Sequence, residues 1–193
     1  MKIIVTAIFA SFVFSPPKAT IEKWLIEKSS NLSIQGKSNV ADFRCDIVEY
    51  LRPDTLQIYK DDEQERFFRV KGGLTINVNC FDCHQKYITG DLRKALKADE
   101  IPLLKIELLS LGNFGNTANK NITGVVTITL AGVIKKMEVN YIVQTGNDGT
   151  LHLTGSRQVL FSDFGLTPPH KLAGLIKVEE QIEVRFQLIL RPV

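Results

Sequence analysis

The feature that most constrains this chain is a period-2 alternation that recurs along nearly its whole length. It is clearest from Val178 to Leu190, where Val178, Ile182, Val184, Phe186, Leu188 and Leu190 are apolar while Glu179, Gln181, Glu183, Arg185 and Gln187 fall between them. Successive side chains of a strand point to opposite faces, so such a segment has one enclosed side and one wet side. The same pattern marks Trp24/Ile26, Leu32/Ile34, Phe43/Cys45/Ile47, Leu56/Ile58, Leu74 to Cys80, Ile106/Leu108, Val126/Ile128/Leu130, Val139/Tyr141/Val143 and Leu151/Leu153. Turn-forming clusters separate these runs at Lys71-Gly72-Gly73, Gly112 to Asn121, Ala131-Gly132 and Gly146 to Gly149, which favours a meander of hairpins. One stretch, Asp91 to Ala98, reads as a short helix with Asp91 as its N-cap and Pro102 forbidding continuation. Many strands with one helix fit a closed antiparallel barrel or a sandwich, and closure removes exposed strand edges.

At 193 residues with 44% hydrophobic and 23% charged content, the chain is long enough for one well-cored domain and too apolar to be disordered. Its 24 Lys and Arg against 21 Asp and Glu leave a net charge of +3, and the cations are scattered, which argues against a nucleic-acid partner. Residues 1–19 have the anatomy of a secretory signal: Met1-Lys2, then a nearly unbroken apolar run from Ile3 to Phe14, then Ser15-Pro16-Pro17-Lys18-Ala19. Cleavage after Ala19 leaves a single domain over residues 20–193 and implies a periplasmic or secreted protein. A buried first strand is the alternative reading of that apolar run.

The ordered motifs of the mature chain resemble the YceI-like proteins, a lipid- or polyisoprenoid-binding family. They are Thr89-Gly90-Asp91-Leu92-Arg93 with Leu96-Lys97-Ala98 and Ile101-Pro102-x-x-Lys105-Ile106; Thr123 to Val133; Asp163-Phe164-Gly165-Leu166; and the closing strand from Leu175 to Leu188. The similarity runs from about Trp24 to Leu190. Family members often carry a basic residue two positions before the Asp-Phe-Gly, where this chain has Phe161. What the resemblance implies is a mainly β fold, an antiparallel lipocalin-like β-barrel of about eight strands with one short helix. It also implies a non-enzymatic function, sequestering or carrying an isoprenoid or fatty-acyl amphiphile, with no cofactor. A homodimer of barrels is an assembly the sequence leaves open.

The candidate lining of the barrel is Val126, Ile128, Leu130, Leu151, Leu153, Ile182, Val184, Phe186 and Leu188. A solid core would use the same residues; the family resemblance favours a tunnel. Gly155, inside a strand, marks a bulge or a close backbone approach.

Cys80-Phe81-Asp82-Cys83-His84 spells the C-x-x-C-H spacing of c-type haem attachment, which makes a periplasmic haem protein one alternative function; a ligand-free structural or partner-binding barrel is the other. Against it, no second axial ligand stands out, and a third cysteine, Cys45, lies on an apolar strand face. In an oxidising compartment Cys45 can bridge Cys80 or Cys83. Cys83 is the preferred partner because Cys80 continues the strand alternation. A zinc site is disfavoured because the paired ligand spacing is missing. Neither G-x-S-x-G nor H-E-x-x-H occurs, and the Asp-Phe-Gly lacks the glycine-rich loop and catalytic loop of a kinase, so enzymatic chemistry has no foothold in the motifs. Of the histidines, His84 adjoins the cysteines, His152 points away from Leu151 and Leu153, and His170 follows Pro168-Pro169.

Overall fold

The computed structural model describes residues 20–48, 54–60, 66–115, 119–146, 148–171 and 175–193. The segment assigned to the export signal, residues 1–19, lies outside them. Twelve strands and one helix follow in the order β1 (Thr20–Ile26), β2 (Asn31–Ser38), β3 (Asp42–Ile47), β4 (Thr55–Lys60), β5 (Phe67–Asn77), β6 (Phe81–Asp82), α1 (Lys86–Ala95), β7 (Leu103–Gly112), β8 (Asn119–Leu130), β9 (Val133–Thr145), β10 (Leu151–Leu160), β11 (His170–Lys171) and β12 (Ile176–Pro192).

Eight strands close a ring in the order β1-β4-β5-β7-β8-β9-β10-β12, with β12 returning to β1, and every pairing is antiparallel. The expected mainly β, closed barrel is therefore the fold. The length of β12 makes closure possible: its end pairs with β1 (Leu190 with Ile26), while Val178 to Gln187 pairs with β2. β3 and β6 extend that second branch as a flap outside the ring. Where β12 changes partner its ladder would leave a backbone amide unpaired. The Ser30 hydroxyl accepts from Ile189 N at 2.9 Å, and Glu27 N donates to Ile189 O at 2.8 Å.

Three local readings differ from the sequence pattern. Lys71-Gly72-Gly73 is not a turn; it lies inside β5 and forms an irregularity against β7 between Arg69 and Gly73, with Gly72 at φ 110°. Glycine marks bulges as readily as turns, because both need a backbone conformation other residues avoid. The helix begins at Lys86, with Gln85 as N-cap, so Asp91 is an interior residue. The start is set by the chain entering from Cys83, with His84 at φ 60° and Cys83 N donating to the Thr89 hydroxyl at 2.9 Å. Finally, β5 ends at Asn77, and Val78–Cys80 is a short 3-10 turn; the Asn77 side chain accepts from Asn79 N at 2.9 Å. By contrast Ala131-Gly132 is the expected two-residue hairpin turn, both residues at positive φ (49° and 81°) between Leu130 and Val133.

Candidate functional site

The inward face of the barrel divides into a solid part and a hollow part. At the end built from β1, β4, the start of β10 and the end of β12, Leu56, Ile58, Val143, Leu153 and Leu190 have no exposed surface. Leu151 faces Leu190 and Leu153 faces Leu188 across the β10–β12 pair. Four of the nine candidate lining residues, Val126, Leu151, Leu153 and Leu188, are buried in the packed core and do not line the apolar cavity described next. A fifth, Phe186, lies across from Gly155, its ring 5.3 Å from that of Tyr141. A methyl on Gly155 would stand 2.4 Å from Asn140 O and 2.6 Å from Phe186 Cζ, so the glycine is required by close approach. Burial pushes the Tyr141 phenol above its usual range, so it stays neutral at physiological pH.

Beyond this aromatic step the barrel encloses an apolar cavity of about 50 Å³. Ile128, Leu130, Ile182 and Val184, the other four candidates, line it. So do residues the sequence reading did not propose as lining: Ile106 and Val159 on the walls, Phe81 and Leu96 from β6 and the end of α1, and Phe161, Phe164 and Leu166 from the segment after β10. Strand parity alone would have found Ile106 and Val159. The rest come from segments with no period to read.

The wall beside this cavity is not continuous. β9 and β10 pair only from Asn140–Ser156 to Thr145–Leu151, so among the described residues no strand pairs with this edge of β9 from Val133 to Val139, nor with β10 from Arg157 to Leu160. The gap is a seam in the ring. A 3-10 turn, Phe161–Phe164, crosses its end and inserts Phe161 and Phe164, both buried, beneath the barrel. Here the Asp-Phe-Gly motif acts structurally: the Asp163 carboxylate accepts from Leu160 N at 2.9 Å, Leu166 N donates to Phe161 O at 3.0 Å, and Glu180 Oε1 accepts from Ser162 N at 2.6 Å. These bonds hold the turn as a plug.

A second and far larger concavity, about 1260 Å³, opens to solvent on the outer side of the sheet. Its walls include Asn140, Thr154, Ser156, Glu183, Arg185 and Gln187. Phe186, one of the nine candidates, borders it together with Tyr141 and Ile142. Size favours this one, but its wide mouth and the charged and amide groups among its walls suit an apolar chain less well than the wholly apolar lining of the small cavity.

The cysteines lie outside the ring. Cys45 and Cys83 form a disulfide across 38 residues, tying β3 to the approach to α1, and both are buried. Cys80 is free and half-buried. The haem alternative needs both sulfurs of the C-x-x-C-H segment, and the disulfide uses one of them. It is corrected on that ground. His84 instead contacts Asp46 at 3.1 Å, and Asp46 also receives Arg44 at 2.8 Å. These two partners, the Arg44 hydrogen bond foremost, hold the Asp46 carboxyl below its usual range.

No family model matches the sequence, and no curated protein does so either. Solved structures match in fold. BcnA from Burkholderia cenocepacia is 16% identical, with 83% of this chain and 95% of that chain covered at a TM-score of 0.63. A polyisoprenoid binding domain from Saccharophagus degradans, implicated in plant cell wall breakdown, is 12% identical, with 88% and 98% covered at 0.63. The YceI protein of Campylobacter jejuni is 15% identical, with 98% and 92% covered at 0.52. A closed eight-stranded ring with a β2-β3-β6 flap and these matches together give the chain the YceI-like fold.

Proposed function

We propose that this protein is an exported, non-enzymatic carrier that holds one isoprenoid or fatty-acyl amphiphile, its tail in the barrel cavity and its head at the seam. The observation that carries this reading is an apolar cavity lying behind a stretch of wall that no strand hydrogen bonds hold shut. The cavity as it stands has room for one or two water-sized groups, so a lipid tail enters by parting its walls. At the seam that motion breaks no β-ladder bond; it costs the apolar contacts of Phe161, Phe164 and Leu166, and each methylene buried in exchange contributes about 0.8 kcal/mol. The name of the Saccharophagus domain, polyisoprenoid binding, supports a lipid of this class. A buried disulfide and the signal-like residues 1–19 support export to an oxidising compartment.

The test is solvent extraction of protein purified without detergent from its native host, followed by mass spectrometry. One long-chain amphiphile per chain is expected. Repeated recovery of bare polypeptide, with no binding of added palmitate or farnesol, overturns the reading.

A further inference from the structure

The inner faces of β9 and β10 are apolar except at two places. β9 presents Val133, Lys135, Met137, Val139, Tyr141 and Val143 on that side; β10 presents Leu151, Leu153, Gly155, Arg157 and Val159. The register fixes these assignments, since Lys135 is opposite Ile128 and Arg157 opposite Val184, and both partners line the cavity. A charge on an inward strand position is costly if buried and unpaired. Lys135 and Arg157 avoid that cost because both lie where β9 and β10 have separated, and both are solvent-exposed. Neither has a hydrogen-bond or ion-pair partner among the described residues. The carboxylates of the plug region form no ion pair with them; Asp163 instead accepts from Leu160 N and Glu180 from Ser162 N.

Two unpaired cations therefore flank this interrupted part of the described wall, with an apolar cavity behind them. Continuing the β9–β10 register places Arg157 level with Val139, near the apex of the seam. Lys135 lies four residues along, on the order of 13 Å toward its open end. Resting on the proposed carrier reading, we infer that the amphiphile's head is anionic, a terminal phosphate or carboxylate, and that Lys135 and Arg157 recognise it at the seam. The Arg157 guanidinium offers a planar fork matched to either oxyanion, and Lys135 a mobile point charge. A neutral alcohol head would leave both without a partner.

Calorimetric titration with two matched pairs decides this: farnesyl diphosphate against farnesol, and palmitate against hexadecanol. The wild type is expected to bind at least one anion about tenfold or more tighter than its alcohol at low salt, the advantage shrinking as salt rises. Which pair shows it separates a phosphate from a carboxylate source. In Lys135→Gln/Arg157→Gln, whose altered side chains are exposed, the advantage should fall to within about twofold while the alcohol affinity stays unchanged. Alcohols bound as tightly as anions overturn the anionic head, an advantage that survives the double variant overturns its recognition by Lys135 and Arg157, and both leave the carrier reading intact. Failure of all four compounds to bind overturns the carrier reading itself.

Discussion

Filling the cavity should stabilise the protein and abolish its proposed activity together. Val159 and Val184 both line it, on adjacent strands and two residue pairs apart on the same face, since Val159 is opposite Ile182 and Arg157 opposite Val184. Replacing both by isoleucine adds two methyl-sized groups with rotamers that strands accept readily. At about 0.8 kcal/mol per buried methylene the gain is at most about 1.6 kcal/mol. The void offers an independent figure: 50 Å³ at about 24 cal/mol per Å³ gives about 1.2 kcal/mol. The two agree, and for a chain of this size they translate to a melting temperature raised by roughly 3–6 °C. Calorimetric melting of the ligand-free protein reads the stability; palmitate titration reads the binding, which should weaken at least tenfold, about 1.4 kcal/mol. A lower melting temperature would mean that the void is already filled by side-chain motion. Raised stability with unchanged binding would refute the placing of the tail.

Three further outcomes are expected. In the chain-entropy account, opening the Cys45–Cys83 bond releases a 38-residue loop and costs about 4 kcal/mol, so a denaturant midpoint measured with reductant should fall accordingly and Cys45→Ala/Cys83→Ala should no longer respond to reductant. Gly155→Ala drives a methyl into the Asn140 carbonyl at the apex of the seam and should destabilise by about 1–3 kcal/mol; Phe186→Ala in the same chain should not restore it, because the nearest clash is with backbone. The depressed Asp46 carboxyl contributes stability that is complete above its unfolded pKa of about 3.9 and is lost as pH falls through the lower folded value. Acid unfolding of Asp46→Asn should therefore be shallower below about pH 4 than that of the wild type.

The strands were legible because one-sided burial writes itself into the sequence as alternation. Leu151, Leu153, Ile182 and Leu188 could be assigned inward without coordinates, and all four are buried. Which of them face a void could not be read, since a packed core and a hollow one demand the same residues at the same parity; the difference depends on how far opposite walls stand apart. The turns were partly legible. Ala131-Gly132 and Gly72-Gly73 look alike as punctuation, yet one reverses the chain and the other bends a strand that continues. The helix boundary was missed because it is set by the Cys83 approach and the Thr89 hydroxyl, neither of which has a period. Of the seam, the trace in the sequence was the pair of cations, Lys135 and Arg157, interrupting two apolar faces. Its extent depends on where β9 and β10 stop pairing, a property of two strands jointly.

The most direct test of where the tail resides is an isotope-filtered NMR experiment on the methyl-labelled protein mixed with palmitate, recording magnetisation transfer from the chain's methylenes. Contacts to the methyl groups of Ile128, Leu130, Ile182 and Val184 are predicted. Contacts confined to Ile142, on the outer concavity, would contradict the account.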